Sequence, residues 1–125
     1  MKVLIVDDSR MLQSRLKDAF LKADKYVEIT QALNYRQALK EFSVIKPNAV
    51  VLDIALPDGS GIGLLRLFKK ENPSVKVIIF TNYPTSEFKD CCMKFGADHF
   101  LDKSRISSLI NSILFFKTIL LFESQ

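Results

Sequence analysis

Short apolar runs alternate with helical spacing patterns five times along 125 residues, and this alternation limits the possible folds more than any single motif does. Residues 2–6 are a continuous apolar run, the pattern of a strand buried on both faces. Leu12, Leu16, Phe20 and Ala23 then recur at helical spacing. Residues 26–30 read as a second strand. Asn34 is placed to cap a helix carrying Ala38, Leu39, Phe42 and Ile45, with Gln37 at the capping-box position. Residues 48–52 are a third strand, and 61–71 carry Ile62, Leu65 and Phe68 on one helical face before Asn72-Pro73 stops them. Residues 75–80 are a fourth strand. The helix over 85–95 carries Phe88, Cys91, Cys92 and Phe95, and Gly96 ends it. Residues 99–101 make a short fifth strand, and a last helix runs from 104 to about 122. With no repeat, low-complexity tract or linker, residues 1–125 are expected to form one α/β domain: a doubly wound, five-stranded parallel sheet with helices on both faces.

Composition removes several function classes. The net charge is +4, but the basic residues are scattered and never interleave with aromatics, so no nucleic-acid partner is expected. The only cysteines, Cys91 and Cys92, are neighbours that cannot bridge within a helix, and no nearby histidine completes a metal set. Free thiols without a signal peptide point to the cytoplasm. The most apolar stretch, 113–122, is broken by Lys117 and Thr118 and is about half the roughly 20 residues of a spanning helix, so no membrane span is expected.

In a parallel sheet of this kind the ligand sits outside the carboxyl ends of the strands. The first strand runs into Asp7-Asp8, the third into Asp53 and the fourth into Thr81; Lys103 follows the fifth. Taken singly, each has an ordinary explanation: a charge pair at a helix start, a turn residue, a cap, a solvated lysine. Together they put three carboxylates, a hydroxyl and an ammonium on one edge. Such carboxylates repel one another unless a cation intervenes, and Mg²⁺ with its preference for oxygen ligands resolves this. A carboxylate beside Mg²⁺ can also act as a nucleophile toward phosphorus.

The motifs "VLIVDDSR", "VVLDIALPDGSG", "VIIFTN" and "GADHFLDKS", in that order, resemble the receiver domain of two-component response regulators, in particular stand-alone chemotaxis-type receivers, over roughly residues 1 to 121. The resemblance implies a flavodoxin-like strand order of 2-1-3-4-5. It implies that Asp53 accepts a phosphoryl group from a sensor histidine kinase or a histidine phosphotransferase, and that Asp8 and Asp53 bind Mg²⁺ directly. By the same resemblance Asp7 would act largely through water, and the backbone carbonyl of Ala55 would be a further ligand. Thr81 and Lys103 would meet phosphoryl oxygens, and Phe100 would be the switch aromatic that responds to Thr81. The chain would be a signalling acceptor that assists its own phosphotransfer rather than an enzyme.

Two features depart from the family. Lys103 is followed by Ser104 where Lys-Pro is usual, and Ser104 is placed to cap the last helix. Ala55 and Tyr83 stand where the family influences the approach of water, and neither orients one by charge, so self-dephosphorylation is expected to be slow. Ala55 also weighs against an aspartyl phosphohydrolase, which commonly places a second acid two residues after its nucleophile. Along the last helix, Ile106, Leu109, Ile110, Ile113, Phe116 and Leu120 make a core stripe, while Phe115, Ile119 and Phe122 make a second one near the end. That second stripe suggests a homodimer or a docked partner; fraying of the helix, or a chain cut from a longer regulator, would also account for it. A docking module that works without phosphorylation is the alternative function.

Overall fold

In the computed structural model, which describes residues 1–123, the five apolar runs become five parallel strands. In chain order the elements are β1 (Lys2–Val6), α1 (Arg10–Ala23), β2 (Glu28–Ala32), α2 (Tyr35–Ile45), β3 (Ala49–Leu52), β4 (Ala55–Leu56), β5 (Gly59–Ser60), α3 (Gly61–Glu71), β6 (Lys76–Thr81), α4 (Ser86–Lys94), β7 (His99–Asp102) and α5 (Ile106–Glu123). The main sheet has the order β2-β1-β3-β6-β7, while β4 and β5 form a separate two-stranded hairpin. With that hairpin set aside, the order is the expected 2-1-3-4-5.

Period-2 alternation sorts the strand side chains into two layers. Leu4, Val6, Val50, Leu52, Val77 and Ile79 face α2, α3 and α4, where Phe42 and Phe68 stack with ring centroids 4.0 Å apart. Val3, Ile5, Ala49, Val51, Ile78 and Phe80 face α1 and α5, against Leu16, Phe20, Leu109, Ile113 and Phe116. Burial on both faces is why β1, β3 and β6 carry no polar alternation.

Four helices start on side-chain caps: Ser9, Asn34, Ser60 and Thr85 accept backbone N–H groups of α1, α2, α3 and α4. Gln37 reaches past the cap and accepts the N–H of Leu33 at 2.8 Å. Gly96 leaves α4 at φ +97, a conformation that glycine adopts without strain.

Several sequence expectations need correction. The second strand begins at Glu28 rather than 26. The last helix begins at Ile106, not 104, and Ser104 does not cap it. Asp102 takes over that turn: its carboxylate accepts the Ser104 N–H at 2.7 Å and its carbonyl accepts that of Arg105 at 3.0 Å. Phe88 is exposed, so Cys92 is the one buried residue of α4. α5 is long and apolar enough, by length and composition, to cross a membrane. The window 113–122 understated it because the same helix begins seven residues earlier and adds Ile106, Leu109 and Ile110. In the fold, Leu109, Ile110, Ile113 and Phe116 bury one face of α5 on the sheet.

Candidate functional site

The hydrogen-bond ladder continues one residue beyond the strands and thereby fixes the acidic residues. The Asp7 N–H donates to the Ala32 carbonyl at 3.0 Å, and the Asp53 N–H donates to the Val6 carbonyl at 3.0 Å. Asp7 and Asp53 are buried, whereas Asp8 is exposed at the rim. Carboxylate oxygens of Asp7, Asp8 and Asp53 lie within 4.8 Å of one another. Lys103 bridges two of them, with Nζ 2.7 Å from Asp7 Oδ2 and 3.0 Å from Asp53 Oδ2. Its backbone N–H donates to the Thr81 carbonyl at 2.9 Å, tying the β7 loop to the end of β6.

Burial pushes the Asp53 carboxyl above its ordinary value and Asp7 adds to the rise, against the opposing pull of Lys103 and of the Ala55 N–H. Burial by itself would lower Lys103, but its hydrogen bonds to Asp7 and Asp53 outweigh that and hold the ammonium above its usual range. The edge therefore carries more negative charge than one lysine neutralises. Three oxygen donors this close suit a hard divalent cation such as Mg²⁺.

Thr81 is fully buried, and its Oγ1 accepts the Tyr83 N–H at 2.9 Å. Phe100 is half-buried against the α2–α4 core, in register with Ile79. The loop after Asp53 folds into the β4–β5 hairpin, and its return is possible only because residue 61 is glycine. A Cβ there would lie 1.9 Å from the Asp53 carbonyl oxygen, while the Gly61 N–H donates to the Ile54 carbonyl at 2.7 Å. Asp58 in the same loop accepts the Tyr35 and Arg36 N–H groups at 2.7 and 3.1 Å, anchoring the loop to α2.

The second stripe of α5 lies far from this edge. Phe115 and Phe122 are exposed, and Ile119 is half-buried in a crevice with Pro47, Val75 and Phe116.

Sequence reasoning missed Gln13. It is buried, and its Nε2 donates to the carbonyls of Ile5, Asp7 and Ala32 at 2.9, 3.2 and 3.0 Å, clamping the ends of β1 and β2 behind Asp7. The signal was available: Gln13 stands on the same helical face as Leu16 and Phe20, a polar residue in a core stripe.

Comparison with known proteins agrees with this architecture. Residues 3–114 match the response regulator receiver domain. The chain is 31% identical over 116 residues to the chemotaxis protein CheY of Thermotoga maritima, covering 90% of this chain and 96% of that protein. It is 33% identical over 113 residues to a protein-glutamate methylesterase/protein-glutamine glutaminase of Treponema denticola, covering 88% of this chain but 30% of that longer protein. Among solved structures, the receiver domain of the Francisella response regulator 1452 superposes with a TM-score of 0.85 at 28% identity, covering 95% of this chain and 98% of that one. On the sheet order, the acidic edge and these matches together, the chain belongs to the response regulator receiver domain family.

Proposed function

We propose that this receiver accepts a phosphoryl group on Asp53 from a phosphohistidine of a sensor histidine kinase or histidine phosphotransferase, in a Mg²⁺-dependent reaction. The observation that carries the reading is the buried Asp53 carboxylate held on one oxygen by Lys103, with two further carboxylates within 4.8 Å. An Asp53 oxygen attacks phosphorus, the P–O bond forms as the P–N bond breaks, and the imidazole leaves. Such a transfer depends on positioning and charge neutralisation more than on covalent chemistry by the protein. Mg²⁺, held by Asp8 and Asp53, with Asp7 and the Ala55 carbonyl in support, would supply neutralising charge on the transferred group. Lys103 holds the acceptor oxygen in place and then meets the phosphoryl group, together with the Thr81 hydroxyl. Movement of Thr81 toward that group would release its bond to the Tyr83 N–H and let Phe100 shift. A downstream protein in the cytoplasm reads the favoured conformation. Ala55 and Tyr83 bring no charged group to orient water, so the aspartyl phosphate is expected to persist.

Intact mass measurement after incubation with Mg²⁺ and a small phosphodonor tests the reading. One added phosphoryl group is expected on the native chain and none on Asp53→Asn, with the adduct forming at least tenfold more slowly on Lys103→Met. No adduct on a chain that binds Mg²⁺ would favour docking without phosphorylation. An adduct on both chains would move the nucleophile elsewhere.

A further inference from the structure

The edge opposite Asp53 has a chemistry of its own. All five sheet strands begin there, and α1 to α4 end there. Exposed lysines gather at that end: Lys2 opens β1, Lys22 and Lys25 flank the end of α1, Lys46 follows α2, and Lys70 and Lys94 close α3 and α4. The exposed acids there are Glu28, Glu71 and Glu123, while Asp24 and Asp98 are held by Lys117 and Lys69. Lysines at helix ends also suit the helix dipole, but Lys2, at the start of β1, serves no helix end.

α5 comes out through this basic field. At 18 residues it spans roughly 27 Å, against about 16 Å for the 11 residues of α3. Its tip, Phe122, is 74% exposed, and Tyr26, in the turn before β2, is 72% exposed with the Lys25 ammonium 5.1 Å from its ring centre. The turn and the helix are joined by the Lys117–Asp24 pair, and on the other side α5 shares a crevice with Lys46 and Lys76.

We propose that this end docks on a lipid bilayer carrying anionic headgroups, with Phe122 and Tyr26 seated at headgroup level and Lys22, Lys25 and Lys46 against the surface charge. A second copy of the chain fits less well. A two-fold contact there sets these lysines against their own copies, and a few projecting rings do not make the roughly 800 Å² per partner of a stable interface. Nucleic acid fits less well too, since these rings stand out from the surface instead of lining a groove. The docked molecule presents the Asp53 edge away from the bilayer, open to a protein donor.

Cosedimentation of the full chain with phosphatidylcholine vesicles, with and without about 30 mol % phosphatidylserine, tests this. Binding is expected on the anionic vesicles alone, weakening as salt rises toward ~0.5 M. Lys25→Glu and Lys46→Glu should each lower the partition at least fivefold, and Phe122→Ser should lower it severalfold. Phosphoryl uptake from a small donor should stay unchanged in every variant, which shows that each one is folded. No binding to anionic vesicles overturns the proposal, as does equal binding to neutral ones. A concentration-dependent dimer in light scattering that Phe122→Ser abolishes would overturn it in favour of self-association.

Discussion

At Gly61 a single hydrogen decides whether the loop after Asp53 can close. With 1.9 Å between an added Cβ and the Asp53 carbonyl, backbone must move, and the backbone in question carries the proposed acceptor. Gly61→Ala is expected to cost about 3 kcal/mol, the upper end of the overpacking range, in chemical denaturation. It should also slow phosphoryl uptake in the fraction that remains folded. Gln13 makes a different case. Truncation removes the amide that ties three carbonyls together, although the Ala32 carbonyl keeps the Asp7 N–H, so Gln13→Ala should lose about 2 kcal/mol in the same measurement. The two residues differ in how readily sequence reveals them. A glycine after an acid-terminated apolar run announces a tight return. A glutamine in a helix reads as solvated until its place one turn before Leu16, on the face that Leu16 and Phe20 share, is noticed. The acids were legible because a carboxylate closing a buried strand needs a partner. That the partner of Asp7 and Asp53 is one and the same lysine is a fact of three dimensions.

Elements were legible wherever one rule acted alone. β1 and α3 have the bounds that the apolar runs indicate. The start of α5 was misplaced because two residues competed for one turn, and Asp102, with a carboxylate two residues from the Ser104 N–H, prevailed over the serine hydroxyl. The β4–β5 hairpin, two residues a side, is too short to leave a periodic trace. Between α1 and α5 the long-range tie is Asp24 with Lys117, and Lys117 holds the Asp24 carboxyl below its ordinary value. A carboxylate lowered in the folded state contributes stability that is complete above its unfolded value of about 3.9. That contribution is lost as pH falls through the lower folded value. Thermal melts should therefore show Asp24→Asn less stable than the native chain near neutrality, with the gap closing as the acid range is reached.

Across the whole molecule the sheet separates two apolar layers, one with α2 to α4 and one with α1 and α5. Phe68 lies in the first and Phe20 in the second. Each alanine substitution is expected to cost about 3–5 kcal/mol. In a double-mutant cycle built on milder Phe→Leu changes, the two costs should add to within about 0.5 kcal/mol, because no side chain is shared. This layered topology was the most legible level of all, since alternating strand and helix patterns with right-handed crossovers leave few arrangements. The placement of charge was not legible, because the lysines are scattered in sequence and gather only when the helices return to one end. Acids crowd the edge where the strands finish and lysines the edge where they begin. The two edges therefore differ in the charged groups they gather. On the proposed docking, an anionic surface would draw the molecule in lysine edge first, so that rotation in solution would settle which face arrives before any contact is made.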